Sequence, residues 1–127
     1  MEITAIIEKG ADGYYSVRSE DHINNQYFGG FGANAREAKE DFTDSVFEIL
    51  DEIDNKEPVK IIFKYDLPSF FSQFNYINVS KFAEYTGINE SKMRQYKSGV
   101  AFPGEKTTKK ILTAIHSIGA ELSDVTL

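Results

Sequence analysis

Six hydrogen-bonding side chains near the C-terminal end of the chain have types that suit contact with nucleic acid. They are Glu90, Ser91, Lys92, Arg94, Gln95 and Lys97. Arginine can bond the edge of a guanine through two hydrogen bonds, and glutamine can bond an adenine in the same way. Serine and lysine can reach bases or phosphates. Glu90 is the exception, because phosphates repel a carboxylate. It would suit this surface only if it accepted a hydrogen bond from a cytosine amino group. The set is a candidate DNA-binding surface.

Two short helices and the turn between them are predicted to position this surface. Asn78 suits the N-cap of a first helix over Val79–Thr86. Gly87 suits the residue that ends this helix, since glycine readily adopts the left-handed conformation found there. Ile88 then fills the core between the two helices. Val79, Phe82 and Ala83 are predicted to face inward.

The second helix, predicted over Glu90–Ser98, carries the six candidate side chains. Asn89 is predicted to cap it and Gly99 to end it. Met93 and Tyr96 are three residues apart and face inward. The candidate residues are therefore left on the outer or flanking surfaces. A plain helical hairpin with a solvated face has the same spacing, and that alternative stays open.

Further elements are predicted on both sides of this pair. A helix starts at about Leu67, with Asp66 as its cap and a proline that a first turn tolerates. Another opens at residues 103–105 and is predicted to end at Gly119. Its apolar stripe consists of Ile111, Leu112, Ile115 and Ile118. The tail, Ala120–Leu127, alternates and is predicted as a strand that pairs between protomers.

Residues 1–65 are predicted to form a small sheet with one long helix, in the order strand, strand, strand, helix, strand. The strands are predicted at Ile3–Glu8, Tyr14–Arg18, Gln26–Gly32 and Val59–Tyr65. The polar segment Ser19–Asn25 is predicted as a loop. Gly29, Gly30 and Gly32 indicate a bulge or a close approach of another backbone. With an all-helical part at residues 66–127, the fold class is α+β and the chain has two domains.

The long helix of the first domain is predicted to begin after Asn34 and to cover one face of the sheet. Asn34 suits the N-cap, and Glu37 makes a variant of the capping box. The apolar stripe follows helical spacing and consists of Ala35, Ala38, Phe42, Val46, Ile49 and Ile53, widened by Phe47 and Leu50. The other face of the helix is strongly acidic.

Charge is divided unevenly between the two parts of the chain. Residues 1–75 contain seven Lys or Arg and fifteen Asp or Glu, a net charge of −8. Residues 76–127 contain seven and five, a net charge of +2, and the two sum to −6 for the whole chain. This asymmetry predicts two modules with different partners. A charge of +2 is small for a polyanion ligand, so DNA binding would need dimerisation and local placement of Lys and Arg.

Composition narrows the class of protein. A hydrophobic content of 41% supports a packed core, and the lack of cysteine excludes disulfides and thiolate metal sites. The N-terminal residues 1–13 contain no long apolar run, so a cytoplasmic location is expected. His22 and His116 lack metal-ligand spacing. Nucleophile motifs and phosphate-binding loops are also missing from the sequence, so no cofactor or metal is expected.

The acids of the first domain raise one enzymatic alternative, a metal-dependent nuclease. Its candidate ligands are Asp12, Glu20, Asp21, Asp41 and Asp44. Asp12 precedes a glycine in a predicted turn, Glu20 and Asp21 lie in a predicted loop, and the other two lie on a solvated helix face. Acidic residues at such positions are usually solvated surface groups. A non-enzymatic protein is therefore the stronger hypothesis.

Nearly the whole chain resembles a known class of bacterial regulator. Residues 66–120 resemble the Cro/Xre-type repressor helix-turn-helix through Phe82-Ala83, Gly87-Ile88, Met93, Tyr96, Gly99 and Pro103. Residues 2–65 resemble the N-terminal domain of HicB antitoxins, through the segment TAIIEKGADGYYSV and the helix that begins near Asn34-Ala35-Arg36-Glu37-Ala38. Together they resemble a HicB-like antitoxin with a repressor tail.

This resemblance implies a fold and two partners. The first domain would be a degenerate RNase H-like sheet without nuclease activity, which binds and masks a small basic toxin that degrades RNA. The second would bind operator DNA as a homodimer and repress the operon. An acidic module suits a basic partner, because opposite charges accelerate encounter.

Three hypotheses follow from the sequence. The first is an antitoxin-type transcriptional regulator. The second is a solitary DNA-binding regulator whose first domain mediates oligomerisation or ligand sensing, without a toxin. The third is the nuclease.

Overall fold

Four strands and five helices form among residues 1–22 and 25–127, which the computed structural model describes, and they make an α+β protein. The chain divides into two compact units, unit 1 (Met1–Phe74) and unit 2 (Asn75–Leu127). Two residues of the predicted loop Ser19–Asn25, Ile23 and Asn24, lie outside the described residues. Ser19 itself ends a strand.

The sheet of unit 1 has the strand order β3-β2-β1-β4. Its members are β1 (Glu2–Lys9), β2 (Tyr15–Ser19), β3 (Gly29–Gly32) and β4 (Lys60–Tyr65). β1 pairs antiparallel with β2 and parallel with β4, and β2 pairs antiparallel with β3. The predicted order of elements is confirmed. The third strand is shorter than predicted, because pairing with β2 begins only at Gly29.

Helix α1 (Ala35–Glu52) covers one face of this sheet, as predicted. Ile3, Ala5 and Ile7 of β1 are buried beneath it, with the helix residues Ala35, Ala38, Phe42, Val46 and Leu50. Ile53 caps the helix at its C-terminal end, and both Ile53 and Phe47 are exposed. The predicted stripe was wrong at these two positions, because the side chains stand off the sheet-facing side of the helix.

Two glycines of β3 allow α1 to lie directly against the strand. A Cβ atom on Gly30 would stand 2.4 Å from the backbone nitrogen of Phe42, and one on Gly32 would stand 2.6 Å from that of Ala38. Cβ atoms essentially never approach so closely. Of the two readings of this glycine cluster, close backbone approach is therefore the correct one for these positions.

Helix α2 (Leu67–Gln73) belongs to unit 1, so the boundary between units lies after Phe74 rather than after residue 65. Asp66 caps the helix as predicted, and its side chain accepts from the backbone N–H of Ser69 at 2.8 Å. The hydroxyl of Ser69 in turn accepts from the backbone N–H of Lys9 at 2.9 Å. Gln73 accepts from the backbone N–H of Ala35 at 3.4 Å. These bonds attach α2 to the sheet and to the start of α1.

Unit 2 consists of α3 (Val79–Thr86), α4 (Glu90–Ser98) and α5 (Glu105–Ser123). The predicted bounds of α3 and α4 are confirmed. The prediction that Gly119 ends the last helix was wrong, because Gly119 lies inside α5. The predicted tail strand was also wrong, since its first residues are helical. In the part of the chain that the structure describes, no helix is both long and apolar enough to cross a membrane.

Candidate nucleic-acid interface

Local hydrogen bonds fix where α3 and α4 begin. The side chain of Asn78 accepts from the backbone N–H of Lys81 at 2.9 Å. The side chain of Asn89 accepts from the backbone N–H of Lys92 at 3.1 Å. Each bond satisfies an amide that a helix start otherwise leaves without a partner. Both predicted N-caps are confirmed.

The turn between the two helices depends on one left-handed residue. Gly87 has φ 73°, and its N–H donates to the carbonyl of Glu84. The N–H of Ile88 donates to the carbonyl of Ala83 at 3.1 Å, which closes the end of α3. Thr86 adds a contact that the sequence did not indicate: its hydroxyl donates to Ala83 and accepts from Ile88. Gly99 ends α4 in the same conformation, with φ 80°.

A small core holds the inner sides of α3 and α4. Met93 is completely buried and Tyr96 nearly so, as predicted. From α3 the buried residues are Val79, Phe82, Ala83 and Thr86. Ile88 in the turn is half-buried. Because these side chains fix how α4 lies against α3, they also determine which residues of α4 face solvent.

All six candidate residues of α4 are exposed, but they do not form one uniform surface. An open depression on the helix is lined by Glu90, Ser91, Arg94, Gln95 and Ser98. Ser98 was not among the predicted residues; its hydroxyl donates to the carbonyl of Gln95 at 3.1 Å. Lys92 and Lys97 are not in this lining. The ammonium of Lys92 lies 5.9 Å from the ring centre of Tyr96, a cation–π distance.

Glu90, Arg94 and Ser80 form a closed set of hydrogen bonds across the two helices. Arg94 Nη2 donates to Glu90 Oε1 and to Ser80 Oγ, each at 3.0 Å. The hydroxyl of Ser80 donates to the same carboxylate oxygen. Hydrogen bonds from Ser80 and then Arg94 lower the pKa of Glu90 below its ordinary value. Ser80 was missed in the sequence because only the folded pair of helices brings residues 80 and 90 together.

The acids proposed as metal ligands in unit 1 have structural contacts of their own in two cases. Asp12 accepts from the backbone N–H of Tyr14 at 3.0 Å, within the β1–β2 turn. Asp41 accepts from the backbone N–H of Phe31 at 2.9 Å, which ties α1 to β3. Over residues 1–22 and 25–127, no three His, Asp or Glu side chains are grouped so that they could hold a metal ion.

The outer side of α1 is an acidic surface, as the sequence indicated. Its exposed carboxylates are Glu37, Glu40, Asp41, Asp44, Glu48, Asp51 and Glu52. The ammonium of Lys39 is instead drawn toward the sheet, 5.6 Å from the ring centre of Phe63 and 5.7 Å from that of Tyr65. The acidic surface therefore includes little compensating positive charge from α1. Tyr65 is itself affected by its surroundings: burial, and then the nearby Tyr15, raise the pKa of its hydroxyl.

Comparison with known proteins gives no relative: neither a protein-family model nor a curated protein nor a solved structure matches the chain.

Proposed function

We propose that this protein is a DNA-binding transcriptional regulator of the antitoxin type, in which α3 and α4 form a helix-turn-helix and α4 is the recognition helix. One observation carries the proposal. A capped helix, fixed by the buried Met93 and Tyr96, presents Arg94 and Gln95 to solvent on one open surface. Such side chains distinguish guanine and adenine by paired hydrogen bonds in the major groove.

Selection from a random-sequence DNA pool tests this proposal with the full chain. We expect enrichment of a palindromic site, and we expect Arg94→Ala and Gln95→Ala to weaken binding to that site by about 1–3 kcal/mol each. Lys106→Ala is the matched control for Arg94→Ala, because it removes one positive charge from an exposed position on α5. If the double variant binds the selected site as tightly as the wild type, α4 does not read DNA.

A homodimer is part of the proposal, because a net charge of +2 on residues 76–127 gives little attraction for DNA in a single copy. The apolar residues of α5 and the turn after it support this. They follow the buried Ile111 at spacings of 4, 3, 4 and 3 residues, the repeat of a coiled-coil seam: Ile115, Ile118, Leu122 and Val125. Leu122 is 62% exposed and Val125 is 60% exposed. A second copy of this chain has the same spacing and would cover them.

Analytical ultracentrifugation tests this seam. We expect Leu122→Glu to shift the protein from dimer to monomer, because a carboxylate in the seam would lose its hydration without a partner. Thr113→Glu is the control: it adds the same charge at an exposed position of α5 outside the seam. A dimer that survives Leu122→Glu would place the contact elsewhere.

Unit 1 is proposed to be a degenerate RNase H-like domain that binds a small basic ribonuclease toxin in the cytoplasm. The acidic outer side of α1 supports a basic partner. Purification from the native host identifies what is bound: a small basic protein supports the antitoxin function, whereas DNA alone supports a solitary regulator. Glu48→Lys with Asp51→Lys should slow association with a basic partner, and Glu121→Lys in unit 2 should not.

A further inference from the structure

We propose that Glu90 and Ser80 are positioning residues that hold the guanidinium of Arg94 in the orientation in which it reads a guanine, and that Glu90 itself does not contact DNA. This inference rests on the proposed function, since it assigns the role of two residues at the same surface. It also explains why an acidic residue begins a helix that would lie against phosphates.

The geometry leaves Arg94 held but still able to bind. Within the described part of the chain, both of its bonds use Nη2. Ser80 Oγ and Glu90 Oε1 are bonded to each other, so they lie side by side and share one N–H of Nη2. The second N–H of Nη2 and the parallel N–H of a neighbouring guanidinium nitrogen are left for the edge of a guanine, which needs two parallel N–H groups. Arg18 is the internal contrast. It contacts Glu8 through both Nε and Nη2, each at 3.1 Å, so a single carboxylate occupies its paired donors.

Ser80 distinguishes this arrangement from a simple ion pair on one helix. Glu90 and Arg94 are four residues apart on α4, a spacing at which exposed pairs are weak and mobile. Ser80 lies on α3 and bonds both of them, so the guanidinium is fixed relative to the whole helix pair. A long side chain that is already ordered loses less rotamer freedom when it binds. The resulting gain in affinity applies to the correct base alone, because only that base matches the fixed orientation of the guanidinium.

A carboxylate near DNA has a second effect, and the experiment must separate the two. Repulsion of phosphates weakens binding to every sequence alike, whereas positioning changes the preference for one base over another. The quantity to measure is therefore the ratio of affinities for the selected site and for the same site with the guanine contacted by Arg94 replaced. Arg94→Ala identifies that guanine as the position at which preference is lost.

We expect Ser80→Ala and Glu90→Ala each to lower this ratio about tenfold, a substantial part of the discrimination of one bidentate contact. Ser80→Ala does so without any change of charge. Glu90→Ala should in addition raise affinity for unrelated DNA. Glu90→Gln should restore part of the ratio, because its amide oxygen can accept both bonds. Glu105→Ala is the control: it also breaks an exposed pair at i, i+4, with Lys109, and should leave the ratio unchanged. Circular dichroism verifies that each variant is folded.

A measurement without DNA tests the same inference. The chain contains three arginines, Arg18, Arg36 and Arg94, so their Nε–H signals can be resolved by NMR. We expect the Arg94 signal to show a more ordered side chain than that of the exposed Arg36, and Ser80→Ala to remove the difference. Equal mobility of Arg94 and Arg36 in the wild type would overturn the inference, whatever the DNA result.

The DNA results separate the two levels of the proposal. If the wild type enriches no sequence, the proposed function fails and the inference fails with it. If the wild type selects a site but Ser80→Ala and Glu90→Ala keep its full base preference, the function stands and the positioning role is wrong. In that case Glu90 only repels phosphates.

Discussion

The glycines of β3 in unit 1 and the glycine that ends α3 in unit 2 have different tasks. In unit 1, Gly30 and Gly32 have ordinary backbone conformations, and their missing side chains make room for α1 against β3. In unit 2, Gly87 has φ 73° and the nearest atom to an added Cβ is the flexible end of Lys110, at 3.6 Å. Gly30 and Gly32 are needed for the absence of a side chain, and Gly87 is needed for its backbone angle, as is Gly13 in the β1–β2 turn of unit 1, with φ 88°. The contrast indicates that the packing of α1 on β3 depends on contacts between elements, whereas the turn after α3 depends on local geometry.

The largest effect should come from Gly30→Ala. Its Cβ would meet the backbone of Phe42 and Ala38 rather than a movable side chain, so α1 must shift away from the sheet. We expect a loss of about 3 kcal/mol or more in the free energy of unfolding of unit 1, measured by urea unfolding with hydrogen exchange to localise it. Gly29→Ala on the same strand should cost far less, because its nearest contact is an ordinary 3.7 Å. Similar losses for both variants would refute the close-approach explanation.

A smaller effect is expected for Gly87→Ala. Alanine is strained at positive φ by about 1–2 kcal/mol, whereas asparagine tolerates this region better. We therefore expect Gly87→Asn to retain part of the stability that Gly87→Ala loses, as measured by thermal unfolding of unit 2. Gly119→Ala is the control, since Gly119 lies inside α5 with open space around it, and alanine there should cause no loss of stability. The contrast between units would break down if Gly87→Ala and Gly87→Asn were equally damaging.

A comparable or smaller effect should follow Asn78→Ala. It removes the side-chain oxygen that accepts from Lys81, and loss of an N-cap typically costs about 1 kcal/mol. Asn78→Asp keeps an acceptor at the same position and should be close to wild type. Amide exchange near the start of α3 reports the change. Equal protection in Asn78→Ala and wild type would show that the cap is dispensable.

The smallest effect concerns the pKa of Glu90. Because the folded protein lowers this pKa, ionised Glu90 favours the folded state above the ordinary pKa of a glutamate. That contribution is lost as the pH falls through the lowered folded-state pKa. We expect Ser80→Ala to move the pKa, measured by NMR titration, back toward its ordinary value. A titration that Ser80→Ala leaves unchanged would rule out the hydrogen bond from Ser80 as the main cause.

Features that depend on neighbouring residues, such as helix bounds, could be predicted from the sequence. Features that depend on contacts between distant residues could not. The bounds of α3 and α4 follow from Asn78, Gly87, Asn89 and Gly99, each of which acts on its own backbone. Gly119 misled the prediction, because a glycine ends a helix only when its backbone turns left-handed, and here α5 continues through it. Nothing in the periodicity around residues 67–73 distinguishes a helix of unit 2 from one bonded to Lys9 of unit 1.

The candidate site shows the same division. The inward spacing of Met93 and Tyr96 predicts that the other residues of α4 are exposed. The structure confirms that these two are buried and that the six candidate residues are exposed. Which of these residues share a surface does not follow from that spacing. Lys92 turns toward Tyr96, and Ser98 joins the depression. The bond from Arg94 to Ser80 depends on how two helices pack, and a one-dimensional pattern does not contain that information.

The parallel pairing of β1 with β4 has a consequence for how fast each unit can assemble. Glu2 pairs with Lys60 and Ile7 with Tyr65, so the central strand must wait for most of unit 1 to be synthesised before its second neighbour exists. Contacts this far apart in sequence slow folding, whereas the neighbouring helices of unit 2 need only short loops to close. Pulse-labelled hydrogen exchange during refolding should therefore show protection in α3 and α4 before the sheet. On the ribosome, unit 1 would be synthesised first but would complete its fold more slowly. Its apolar strands would stay exposed to aggregation until β4 has been synthesised.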